Sequence, residues 1–155
     1  MKKPKRSPAP SEKPRNRALR LVFEYDGTDI KLISQQRLAM LAPPPHPLVS
    51  RENERGFWVL LSDAEGRPLY RRVMDNPIRQ DIEVVADDPD RPLTRVRVAE
   101  PRGQFFVVVP DIPASRSIAL FGEAVGIDVK PAPSRELCRF KLATSNKEDT
   151  DHGHC

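Results

Sequence analysis

Between Leu19 and Phe121 the chain is a succession of short runs of alternating polarity, each ended by residues that turn a backbone. Period-two alternation sends successive side chains to opposite faces of an extended strand, so each run offers one apolar face and one wet face. Leu19, Leu21, Phe23 and Tyr25 alternate with Arg20, Val22, Glu24 and Asp26. Phe57 to Ser62 runs into Asp63-Ala64-Glu65-Gly66-Arg67 and returns as Leu69 to Val73, the sequence form of a β-hairpin. No amphipathic helical stretch of adequate length separates the runs, which excludes repeated βαβ units. The pattern predicts an all-β protein: an antiparallel β-sandwich of about seven or eight strands, immunoglobulin-like in kind.

The remaining runs follow the same logic. Asp26-Gly27 supplies a turn and Ile30 to Ile33 leads back out, while Gln35 to Leu41 fits either a continuing strand or one helical turn. Ala42-Pro43-Pro44-Pro45-His46-Pro47 cannot be a helix interior or a central strand, because proline fixes φ and removes the N–H donor. It reads as an extended connector reaching about Arg55. Proline-rich segments also dock on aromatic grooves of partner modules, but a rigid crossover between sheets is the simpler reading. Ile82 to Val85, Thr94 to Val98 and Ser117 to Phe121 are further strands. Phe105 to Val109 is apolar at every position, which predicts a strand covered on both faces or wedged at the centre of the sandwich. Glu136 to Leu142 fits one more strand or a short helix.

Charge divides the chain into three parts. Residues 1–20 carry Lys2, Lys3, Lys5, Arg6, Lys13, Arg15, Arg17 and Arg20 against Glu12 alone, leaving 18 basic and 21 acidic residues elsewhere. Residues 1–17, with four prolines and no large apolar residue after Met1, cannot offset their ordering entropy by burial. They are read as a disordered basic tail, residues 18–142 as the sandwich domain, and residues 143–155 as a second disordered tail. The basic tail is a solubilising segment or a contact for nucleic acid, anionic lipid or an acidic partner, with Lys2, Lys3, Lys5 and Arg6 as its densest part. The sandwich itself is mildly acidic, so a face built to track a phosphate backbone is not indicated. Cys138 and Cys155 lie outside the patterned strands, which fits a reducing compartment better than a disulfide framework. No stretch approaches the roughly 18 apolar residues of a membrane span, and the tail lacks the apolar core of a secretory signal. A cytoplasmic protein is expected.

The residues that could carry chemistry are few. Asp151, His152, His154 and Cys155 are metal-ligand types at close spacing. A short terminal segment gives no rigid scaffold or oriented outer ligands, so adventitious binding is the reading preferred and no cofactor is assigned. Asp87, Asp88 and Asp90 share one loop with Pro89 and Pro92, and Asp63 and Glu65 share another. Clustered carboxylates in sandwich loops can hold Ca²⁺, but solvated turns explain them more simply. The histidines are His46, His152 and His154, none on a predicted strand. No nucleophile elbow, zinc-protease motif, phosphate loop or dinucleotide fingerprint is present. An enzyme is not expected. Trp58 and Phe57 must point to opposite faces of one strand. One enters the core, and the other is either an exposed contact residue or covered by residues 123–142.

The hairpin Phe57–Val73, with its Asp63…Gly66 turn and Leu69-Tyr70-Arg71 return, resembles one in the N-terminal, non-catalytic β-sandwich domain of IgA-peptidase-type metallopeptidases. The chain has neither the zinc motif nor the length of that family's catalytic domain, so the resemblance implies no activity. More broadly the chain resembles small bacterial proteins with an immunoglobulin-like or transthyretin-like sandwich. The function expected is a non-enzymatic protein-interaction or accessory module, with another protein as partner and Trp58 as a candidate contact. The alternative is binding of nucleic acid or an acidic surface through the basic tail.

Overall fold

The computed structural model describes residues 16–85, 90, 93–125, 130 and 132–144. Among them nine strands and no helix form: β1 Ala18–Asp26, β2 Asp29–Leu38, β3 Phe57–Ser62, β4 Pro68–Met74, β5 Asp81–Val85, β6 Leu93–Arg97, β7 Arg102–Pro110, β8 Ser117–Gly122 and β9 Arg135–Lys141. All pairings are antiparallel. They give a three-stranded sheet in the order β2-β1-β7, a four-stranded sheet in the order β4-β3-β8-β9, and the separate hairpin β5-β6. The all-β expectation holds. Gln35 to Leu38 continues β2 as a strand, and β9 is a strand rather than a short helix.

The two larger sheets are joined through their apolar faces. Leu19, Leu21, Phe23 and Tyr25 from β1 are buried, as the alternation requires, and so are Phe57, Val59 and Leu61 from β3. Phe23 is central. Its ring stacks on Phe105 of β7 at 5.2 Å between centroids and meets Phe140 of β9 at 5.4 Å. Phe105 in turn takes Phe57 of β3 edge-on at 6.1 Å. Offset and edge-to-face ring pairs add stabilisation beyond their buried area, and here they tie one sheet to the other.

Strand β7 departs from the expectation. Phe105, Val107 and Val109 are buried, but Phe106 is 53% exposed. The continuous apolar run is therefore a one-sided strand, since among the described residues no third layer covers its outer face. The guanidinium of Arg20, across the pairing on β1, lies 4.7 Å over the Phe106 ring and partly shields it. Cys138 also differs from expectation. It lies within β9, is buried, and is disulfide-bonded rather than a free thiol.

A bulge decides how the sandwich closes. Val22 pairs with Ser34 but Phe23 pairs with Leu32, so Ile33 is the extra residue on β2. A bulge shifts the facing of every later side chain on its strand. Beyond it Gln35 stands opposite inward-facing Leu21. There its amide donates to Ala143 O (2.9 Å) and accepts from Ala143 N–H (3.0 Å). One side chain thus imitates a strand pairing between the edge of β2 and the segment after β9. On the opposite flank Arg72 of β4 donates to Val108 O of β7 (3.3 Å).

Truncating the central ring tests this account. Phe23→Ala should cost about 3–5 kcal/mol in urea unfolding, with the denaturant slope unchanged. A loss under about 1 kcal/mol would remove Phe23 from the centre of the core.

Candidate protein-interaction surface

The outer face of the four-stranded sheet holds Trp58. In the pairing register it sits between Val73 of β4 and Phe121 of β8. Its indole stacks on Phe121 at 5.3 Å and 8°. The Arg71 guanidinium covers the ring at 4.9 Å, within the range of a cation–π contact. Arg71 is itself buried. It donates through Nη2 to Glu54 Oε1 (2.6 Å) and through Nη1 to Pro47 O (3.2 Å). Pro47 and Glu54 of the connector therefore hold in place the arginine that covers the tryptophan. Trp58 is only 4% exposed, so the aromatic considered as a contact residue is packed, by Phe121, Arg71 and the connector. A partner could reach it only by displacing Arg71. The sequence did carry a signal for Arg71: hairpin register places it opposite Leu60, two residues from Trp58 and so on the same face.

Glu54 is held below the ordinary carboxyl range. The cause is foremost the Arg71 hydrogen bond, with burial opposing it and the Arg51 N–H assisting. Asp63, by contrast, organises a turn. Burial works against its ionisation, but Arg67 donates both its N–H (2.8 Å) and its Nε–H (2.7 Å), and Glu65 N–H adds a third bond at 3.0 Å. Together these hold the carboxyl below its usual value. The positive φ of Gly66, 79°, completes the reversal. These acids serve the fold.

The proline-rich connector runs beside β4. Tyr70 donates its hydroxyl to Pro43 O (3.0 Å). His46 N–H donates to Arg71 O (2.7 Å), and His46 Nδ1 accepts from Val73 N–H (3.2 Å). It thus covers the outer edge of β4, the strand that would otherwise present unpaired amides. His46, the only histidine among the described residues, has one ring nitrogen occupied by this role.

A different surface is presented by β5 and β6. All ten of their residues are exposed, and the hairpin is a sheet of its own. Ile82 pairs with Val96 and Val84 with Thr94, placing Ile82, Val84 and Val96 on one face. The other face carries Asp81 opposite Arg97, Glu83 opposite Arg95 at 3.5 Å, and, at its far end, exposed Val85 opposite Leu93. The base of the hairpin is fixed by Val98 N–H to Gln80 O (2.7 Å) and Arg79 N–H to the Tyr25 hydroxyl oxygen (3.4 Å). Tyr25 lies over Gly103, where a Cβ would fall 2.6 Å from the tyrosine oxygen. Glycine is what lets the ring lie there. A cleft of about 730 Å³ opens at this base, lined among others by Tyr25, Arg79, Ile82, Val98 and Arg102.

Several expected sites lie outside the described residues: Lys2, Lys3, Lys5 and Arg6 of the basic tail, Asp87 and Asp88 of the acidic loop, and Asp151, His152, His154 and Cys155. Among the described residues no three His, Cys, Asp or Glu side chains gather as a metal site, and no helix is long and apolar enough to cross a membrane. No family model matches the chain, and neither a curated protein nor a solved structure matches it.

Removing the partner of buried Arg71 is a direct test of the covered tryptophan. Glu54→Gln should lower stability by about 1.5–3 kcal/mol at neutral pH. Because the folded-state pKa of Glu54 is lowered from 4.5, its contribution is complete above that value and is lost as pH falls through the folded one. The gap between wild type and variant should therefore narrow on acidification, read by urea unfolding at a series of pH values. A gap independent of pH would refute the ion pair.

Proposed function

We propose that the chain is a non-enzymatic protein-interaction or accessory module whose contact element is the β5–β6 hairpin. One observation carries this reading: a two-stranded sheet with all ten residues exposed presents Ile82, Val84 and Val96 on one face. Isolated hairpins are marginal in water, and grouped exposed apolar side chains mark contact sites more often than scattered ones do. The charge pairs on the opposite face give the hairpin cross-strand support while leaving the apolar row free for a partner. Trp58, being covered, plays no part in this contact. A second reading rests on the charge of residues 1–20, eight basic side chains against one acidic. There the partner is a nucleic acid or another acidic surface, bound with steep salt dependence.

The experiment separates the two. Ile82→Thr with Val96→Thr keeps β-branched residues at both positions while making the apolar row polar, so stability should change by less than about 0.5 kcal/mol. Proteins captured by the full chain, quantified by mass spectrometry, should include a set lost with the double variant and kept when residues 1–17 are removed. Capture lost with residues 1–17, weakening steeply with salt and indifferent to the hairpin substitutions, would transfer the function to the tail.

A further inference from the structure

The connector offers a second surface, independent of the hairpin. We infer that residues 41–48 form a pre-organised polyproline II ligand for a partner that reads extended proline segments with an aromatic-walled groove. The backbone is set by the sequence. Pro43, Pro44, Pro45 and Pro47 have φ fixed near −65°. Ala42, Pro43, Pro44 and His46 each precede a proline, which pushes them to extended or polyproline II geometry. The segment carries neither helix nor strand, and no described peptide bond is cis.

A polyproline II helix has about three residues per turn, so Pro43 and His46 share one edge. That edge is tied to β4, Pro43 through its carbonyl and His46 through its N–H and Nδ1, and the Pro47 carbonyl adds a third tie by accepting from Arg71 Nη1 (3.2 Å) while its ring stays exposed. The other two edges are left outward. One bears Leu41, Pro44 and Pro47, and the other bears Pro45 and Leu48, all exposed, Leu41 to 71%. The exposed side chains of Pro44-Pro45 and of Pro47-Leu48 are thus separated by His46, a spacing that suits two adjacent pockets.

The same chemistry excludes other partners. The prolines have no N–H and that of His46 is used, so strand addition finds no ladder here. Residues 38–50 contain no Asp, Glu, Lys or Arg, so nothing steers a phosphate backbone or a charged peptide to them. What remains is recognition of ring and aliphatic ridges. Because the fold already holds the segment extended, docking loses little further conformational freedom.

Calorimetric titration of the full chain with isolated SH3 and WW modules tests this, since both read extended prolines in aromatic grooves. At least one module should bind saturably, be displaced by decaproline, and bind about tenfold more weakly to Pro44→Ala/Pro47→Ala. Binding should be unchanged in Ile82→Thr/Val96→Thr, which separates this surface from the hairpin. Thermal unfolding checks the variants, and Leu48→Ser serves as a milder ridge substitution should the double proline variant melt early. Absence of saturable binding to every module would overturn the inference. So would binding that resists decaproline, survives the ridge substitutions, or falls instead with the hairpin ones.

Discussion

The packing of Phe23 between Phe105 and Phe140 is the contact on which the rest of this structure depends. It brings β1, β7 and β9 together, and through Phe57 it reaches β3. It also fixes register. A one-residue slip of β1 would send Phe23 to the wet face and bring Val22 and Glu24 inward. Each neighbouring pairing must deliver its aromatic to the same place, so the ring cluster selects among alignments that backbone hydrogen bonding alone would tolerate. The bulge at Ile33 lets β2 satisfy this alignment near its start and still turn Gln35 toward the other sheet near its end.

Edges account for much of the remaining design. An open sandwich has rows of unpaired amides and carbonyls that invite other chains. Here the β4 edge is covered by a segment largely unable to donate, and the β2 edge is bridged in part by one glutamine amide. The hairpin stays uncovered. Among the described residues, large apolar side chains face solvent in groups on the hairpin, with Ile82, Val84 and Val96 on one face and Val85 and Leu93 on the other, and along the connector, with Leu41, Leu48 and Val49 beside the prolines. In both, the backbone is held in an extended form.

Much of this was legible in the residues. Alternation from Leu19 to Tyr25 gave the inward face of β1 without error, and the Asp63–Gly66 turn marked its hairpin. Local signals failed where a distant segment decides the outcome. Phe106 reads as buried because its neighbours are apolar, yet its exposure depends on whether a third layer exists. Strand alternation alone does not decide whether Trp58 is exposed or covered, because what covers it is a buried arginine whose partner Glu54 lies 17 residues from it in sequence. Gln35 is polar on an inward position, which alternation alone would assign to solvent. Only the bulge and the position of Ala143 explain it. The prolines were read correctly as an extended connector, but the choice of which ring edges face outward came from the bonds to β4.

The order of strands within the sheets bears on how the chain can be made. β1 takes its second neighbour from β7 and β3 takes its own from β8, so both wait for segments that begin at Arg102 and Ser117. A nascent polypeptide that has emerged only to residue 100 holds two-stranded ribbons with their apolar sides uncovered. Such far-apart pairings form slowly because long loops must close first. Assembly of the two larger sheets is thereby deferred until the segments from Arg102 to Gly122 are free to pair.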